Sequence, residues 1–167
     1  ALAIATGLSA WVGQQRHSSN SGQQVAFKVI DAAQRDLPPS EALSALKNAA
    51  EQRVFHTNRS TSDFWVLIDT TQAGSHQSRE FVVELSSKHG TKTECWPLAS
   101  GASPEHFPTG RDAAPIPARR SKAGYAIEFG ATNKPPGNLL CRTNFSGPAR
   151  PTVMLWSVEN YQDAEEN

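Results

Sequence analysis

The chain has 167 residues with 16 basic and 16 acidic side chains, so its formal net charge is zero. That balance leaves no long-range field for nucleic acid or an anionic membrane, and the length allows one domain with its own core. Charged residues make up only 19%, while Ser, Thr, Asn and Gln are plentiful, which suits an extracytoplasmic β-protein better than a cytosolic enzyme.

Residues 1–13 are small and apolar, and the chain turns polar at Gln14. Thirteen residues are too few to cross a bilayer, which takes about 20. The stretch reads either as the tail of a signal peptide or membrane helix, or as an ordinary strand or helix lying on the domain. Residues 14–24 are polar and aperiodic, and read as a linker. Residues 25–30 suit a first strand or the start of a short helix. Pro38-Pro39-Ser40-Glu41 then opens a helix, with proline at its start and acid in its first turn. Ala42, Leu43, Ala45, Leu46 and Ala49 give it an apolar face, expected to pack across one end of a β-sandwich.

From residue 64 onward short apolar runs alternate with polar turns. Phe64-Trp65-Val66-Leu67-Ile68 is apolar on both faces and reads as a central strand covered on both sides. In the run at 81–85, Phe81, Val83 and Leu85 share one face, while Glu80 and Glu84 accompany Val82 on the other. Residues 91–98 carry Cys95 and Trp96 on a strand of mixed character. Tyr125, Ile127 and Phe129 repeat the half-buried pattern with Glu128 outward, and further strands fall at 139–141 and 153–156. Strands at these intervals predict an all-β, jelly-roll-like β-sandwich with a short helix near its N-terminus. Residues 25–161 form the sandwich, residues 1–24 precede it, and 162–167 are an acidic tail.

Two long loops interrupt the strands. Residues 99–123 hold four prolines and the basic cluster Arg111, Arg119, Arg120 and Lys122; residues 130–138 hold the turn Pro135-Pro136-Gly137-Asn138. Long loops in a compact domain are commonly functional.

Catalytic signatures are missing from the sequence. There is no Gly-x-Ser-x-Gly elbow, no phosphate-binding Gly-x-x-x-x-Gly-Lys and no dinucleotide fingerprint. His17, His56, His76, His89 and His106 stand singly, so neither a metal nor a cofactor is expected. Glu80 and Glu84 lie roughly 13 Å apart along an extended strand, too far for a glycosidase pair, and read as a solvated face. The sequons at Asn58 and Asn144 are taken as incidental. Cys95 and Cys141 are either two buried thiols or a disulfide, and compartment reasoning favours the disulfide. Its loop would be worth about 4 kcal/mol in the chain-entropy model. Trp96 and the loop arginines are the candidate ligand contacts, since an indole offers a sugar an apolar face and Arg offers anions a planar fork. The bland alternative has Trp96 covering the core and the arginines solubilising a loop.

Motifs along residues 37–161 resemble a known family. They comprise Glu41-Ala42-Leu43, the aromatic strand from Phe64, the strand at 80–85 and the loop Thr109-Gly110-Arg111-Asp112. Pro135-Pro136-Gly137 leading to Leu139-Leu140-Cys141-Arg142, and the ending Leu155-Trp156-Ser157-Val158-Glu159-Asn160-Tyr161, complete them. The pattern resembles the extracytoplasmic sensor domain of bacterial seven-transmembrane receptors with diverse intracellular signalling modules (7TMR-DISM, second type). The resemblance implies a periplasmic, non-enzymatic jelly-roll that binds a small polar ligand such as a carbohydrate. It would work with membrane helices of the same receptor, and a homodimer is compatible with it. The ligand contacts expected are Trp96, Arg111, Asp112, Arg119, Arg120 and Arg142, with Thr109 and Gly110 shaping the loop. The rivals are a carbohydrate-binding module of a secreted hydrolase and a protein–protein assembly domain.

Overall fold

A computed structural model describes residues 22–32, 36–58, 61–72, 80–108, 114–130 and 136–167. Among them eleven strands form two antiparallel sheets. The five-stranded sheet contains β1 (Gln23–Val25), β11 (Thr152–Ser157), β5 (Phe81–Ser86), β9 (Gly124–Phe129) and β8 (Arg119–Arg120), in that order. The six-stranded sheet runs β3 (Glu51–Gln52), β2 (Phe27–Asp31), β4 (Asp63–Asp69), β10 (Asn138–Phe145), β6 (Gly90–Leu98) and β7 (Ile116–Pro117).

Eight strands pair as one long hairpin folded over on itself. β1 joins β11, β4 joins β10, β5 joins β9 and β6 joins β7, all antiparallel. Pairing of β11 with β5 and of β10 with β6 then completes the two sheets. That nested order is a jelly roll. β2 and β3 extend one sheet beyond β4, and β8 extends the other beyond β9.

Alternation decides what fills the space between the sheets. Phe64, Val66 and Ile68 of β4 meet Val83 and Leu85 of β5, Ile127 and Phe129 of β9, and Val153 and Leu155 of β11. Cys95 and Cys141 stand opposite one another in register and are joined as a disulfide, S–S 2.00 Å, facing this core. Thr93 and Thr143, next on the same face, satisfy each other at 2.8 Å. The approach of the β8–β9 turn to the end of β5 requires glycine at Gly124, where a Cβ would collide with the Leu85 carbonyl.

Each sheet also carries a helix on its outer face. α1 (Pro39–Lys47) buries Ala42, Leu43 and Leu46 against Trp65, Trp96, Leu98 and Leu140. It therefore lies on the face of the six-stranded sheet and not across an end of the sandwich. α2 (Val158–Glu166) sets Tyr161 and Val158 against Val82, Ala126 and Trp156 on the other sheet.

Three further expectations are corrected. Residues 162–167 are no separate tail, because α2 runs to Glu166; Ser157 caps it, its side chain accepting from the Asn160 amide. The chain is already in β1 at Gln23, inside the stretch read as linker. Arg119 and Arg120 form an edge strand within the stretch read as one loop.

Candidate functional site

The six expected ligand contacts separate into three groups. Arg111 and Asp112 lie outside the described residues, as do Thr109 and Gly110. Trp96 is 7% exposed and packs on Trp65 with ring centroids 5.3 Å apart, beneath α1. It is a core residue of the helix seat and offers no open face to a ligand. Arg119, Arg120 and Arg142 reach the surface.

Arg120 and Arg142 belong to one polar band that joins the two sheets beside the β5–β6 turn. Arg120 donates to the carbonyls of Gly90 (2.6 Å) and Lys88 (3.4 Å), and its guanidinium lies 5.3 Å from the ring centroid of Tyr125. The Tyr125 hydroxyl donates to the Thr91 carbonyl at 2.6 Å. Thr91 Oγ1 donates to Asn144 Oδ1 at 2.8 Å, and Asn144 Nδ2 donates to Asp63 Oδ1 at 3.1 Å. Arg142 closes the band, with Nε donating to Asp63 Oδ2 at 2.6 Å and Nη2 meeting the same oxygen at 2.5 Å. Strand register makes this possible, since Asn144 faces Asp63 on one side and Lys92 on the other.

The surface arginines differ in freedom. Burial works against the charge on Arg142, yet the hydrogen bond and charge of Asp63, with Asp36 and Glu94 behind, hold its guanidinium above the ordinary value. Its second partner, Asp36, is 86% exposed at 3.2 Å, a contact that water or a ligand can replace. Arg119, on the edge of the other sheet, has a 72% exposed side chain and, among the described residues, one ion-pair partner, Glu128, at 3.4 Å. Arg119 is thus the freest of the three arginines, and Arg142, paired twice with Asp63 and lying over the Trp65 ring, is the most committed to structure.

A second polar cluster was missed by sequence reasoning. Glu84, expected on a solvated face, is only 3% exposed. Its carboxylate accepts from Ser121 Oγ at 2.8 Å and from the Trp156 indole at 3.1 Å, beneath α2. Alternation placed Glu84 correctly on the outer face of β5; the cover comes from a helix more than seventy residues downstream.

Chemistry of other kinds finds little support. Among the described residues no three His, Cys, Asp or Glu side chains gather in a way that could hold a metal ion. Ser103 Oγ and His106 Nδ1 meet at 2.8 Å, but within one short 3₁₀ turn (Pro104–His106) and with no carboxylate on the ring among the described residues. A serine nucleophile needs that third group to orient its base.

One corner of the molecule brings the first and last strands together. β1 pairs with β11, Gln23 opposite Leu155, and Gly22 lies on the Trp156 indole so closely that a Cβ would stand 2.5 Å from its ring. α2 begins two residues beyond Trp156. No protein-family model matches the chain, and neither does any curated protein.

Proposed function

We propose that this domain is a periplasmic ligand-sensing jelly roll of a membrane signalling receptor, binding a small polar ligand and doing no chemistry itself. The observation that carries the reading is the shared corner at Trp156, where the first and last strands of the sandwich pair. A module hung from two neighbouring segments can pass a change in its own packing to both. The Cys95–Cys141 disulfide is compatible with an oxidising, extracytoplasmic compartment. Among the described residues no helix is long and apolar enough to cross a membrane, so membrane helices would belong to the flanking parts of the receptor. The motif resemblance to the 7TMR-DISM sensor domain supports the same assignment.

The ligand is recognised through guanidinium groups at the surface, Arg142 in the polar band and Arg119 on the edge strand outside it. Trp65 and Trp96 are sealed under α1 and are not offered to it, whereas Tyr125 beside the band is half-buried. Arg142, with its replaceable Asp36, and Arg119 are the groups offered to a ligand carboxylate or to sugar hydroxyls. Signalling then requires only that the ligand prefer one of two arrangements of the sandwich and its flanking segments.

A thermal-shift screen of the folded chain against sugars, amino acids and organic acids tests this. One class should stabilise the fold with the logarithm of its concentration, by about 2.7 kcal/mol at a hundredfold excess over Kd, and so raise the melting temperature. Replacing Arg119 by Gln should weaken the shift without lowering the unliganded melting temperature. A flat response to all three classes would sink the proposal.

A further inference from the structure

Glu84 is the buried polar side chain with the least obvious reason to be there. Its residue face lies between Val82 and Ala126, in the seat that Tyr161 of α2 covers. Both of its hydrogen-bond donors, Ser121 and Trp156, are neutral, and no ion pair among the described residues includes it. Removing a carboxylate from water without a cation is costly, and an apolar side chain of similar size would fill this seat without that cost. The carboxylate is therefore explained by what it connects and not by what it fills.

It connects two separate elements. Ser121 opens the β8–β9 turn, where its hydroxyl also accepts from the Gly124 amide at 2.9 Å. The neighbouring Lys122 amide donates to Glu165 of α2 at 3.1 Å. Trp156 stands one residue before the Ser157 cap, and its ring meets Tyr161 edge-on at 6.1 Å. One carboxylate thus holds the edge hairpin by one oxygen and the root of α2 by the other.

α2 depends on such pins. Nine residues fall below the length at which helices persist alone, about 12–15. Asp163, Glu165 and Glu166 crowd acid toward its C-terminus, the end where the helix dipole disfavours negative charge. Docking and folding of α2 are consequently one event, and losing the seat melts the helix.

We propose that Glu84 is a latch that makes the β8–β9 hairpin and helix α2 open together. Arg119 and Arg120 sit on that hairpin, so the latch would carry a ligand event from it to α2. Only this use rests on the sensing reading; the latch itself stands on geometry, and its test needs no ligand.

Amide hydrogen exchange of the whole chain provides the test. Glu84→Leu should speed exchange in residues 158–166 and in the turn amides of Ser121 and Gly124 by about tenfold or more, leaving β4 and β10 protected as before. Trp156→Phe, which removes the indole donor, should loosen the hairpin, reaching beyond its own element. In a Glu84→Leu background Trp156→Phe should not add to the hairpin's exchange, because the Lys122–Glu165 and Ser121–Tyr161 contacts that remain do not pass through Trp156. The latch is overturned if Glu84→Leu leaves α2 unchanged. It is overturned equally if Trp156→Phe leaves the hairpin unchanged, or if exchange rises uniformly through both sheets.

Discussion

Two nine-residue helices roof the two outer faces of this sandwich, and they are held by different means. α1 inserts Ala42, Leu43 and Leu46 into a seat of two tryptophans and two leucines. α2 inserts Tyr161 into a seat of Val82 and Ala126, beside a carboxylate. Neither helix is long enough to stand alone, so each folds on what its seat supplies. At roughly 1.5–3 kcal/mol for each large apolar side chain fully buried, α1 has several such contributions and α2 about one. The comparison separates a heavily packed cover from a lightly packed one, and the lightly packed one is the last helix.

The sharpest way to break this contrast is at Trp65, which is 1% exposed and shared by the α1 seat and the centre of the six-stranded sheet. Trp65→Ala should lower the stability of the entire domain by about 3–5 kcal/mol, seen as a lower denaturant midpoint in one cooperative transition. Tyr161→Ala is expected to cost less, about 1–2 kcal/mol, because α2 can undock instead of leaving a cavity. Its signature is local: helical circular dichroism falls and residues 158–166 become sensitive to protease while the sandwich transition remains. Equal losses from the two substitutions would erase the distinction.

Legibility in the sequence followed the same division. The strands could be read because their apolar positions alternate, and β4 declared its double cover by being apolar on both faces. The helix at Pro39–Lys47 was visible from its proline start and its apolar face, but not its seat. Whether an outer face is wet or roofed depends on contacts between distant segments. Trp96 and Glu84 show this from opposite sides: both occupy outward positions, and both are buried because a helix lies over them. α2 was obscured by its acidity, although Ser157 and the pair Val158 and Tyr161, three residues apart, were signals of a capped helix with one apolar contact. The polar band could not have been foreseen, since it depends on register between strands some eighty residues apart, such as Asn144 opposite Asp63.

The smallest expected effect discriminates most finely, because it touches α2 alone. Burial raises the Tyr161 phenol above its ordinary 10.0, and the charges of Glu165 and Glu84 add to this, while the Ser121 hydrogen bond and Arg119 oppose it. The docked helix therefore holds the phenolic proton more tightly than the released one. Below the ordinary value the two states bind the same proton and docking is unaffected. Above it the released state ionises first, so the docking advantage declines as pH rises from about 10 through the docked value. Helical circular dichroism and tyrosinate absorbance followed over that range should change together in the native chain. Tyr161→Phe has no proton to lose and should keep α2 docked to higher pH. If native chain and variant lose the helix at the same pH, Tyr161 is not the group that seats it, and the small-contact account of α2 fails.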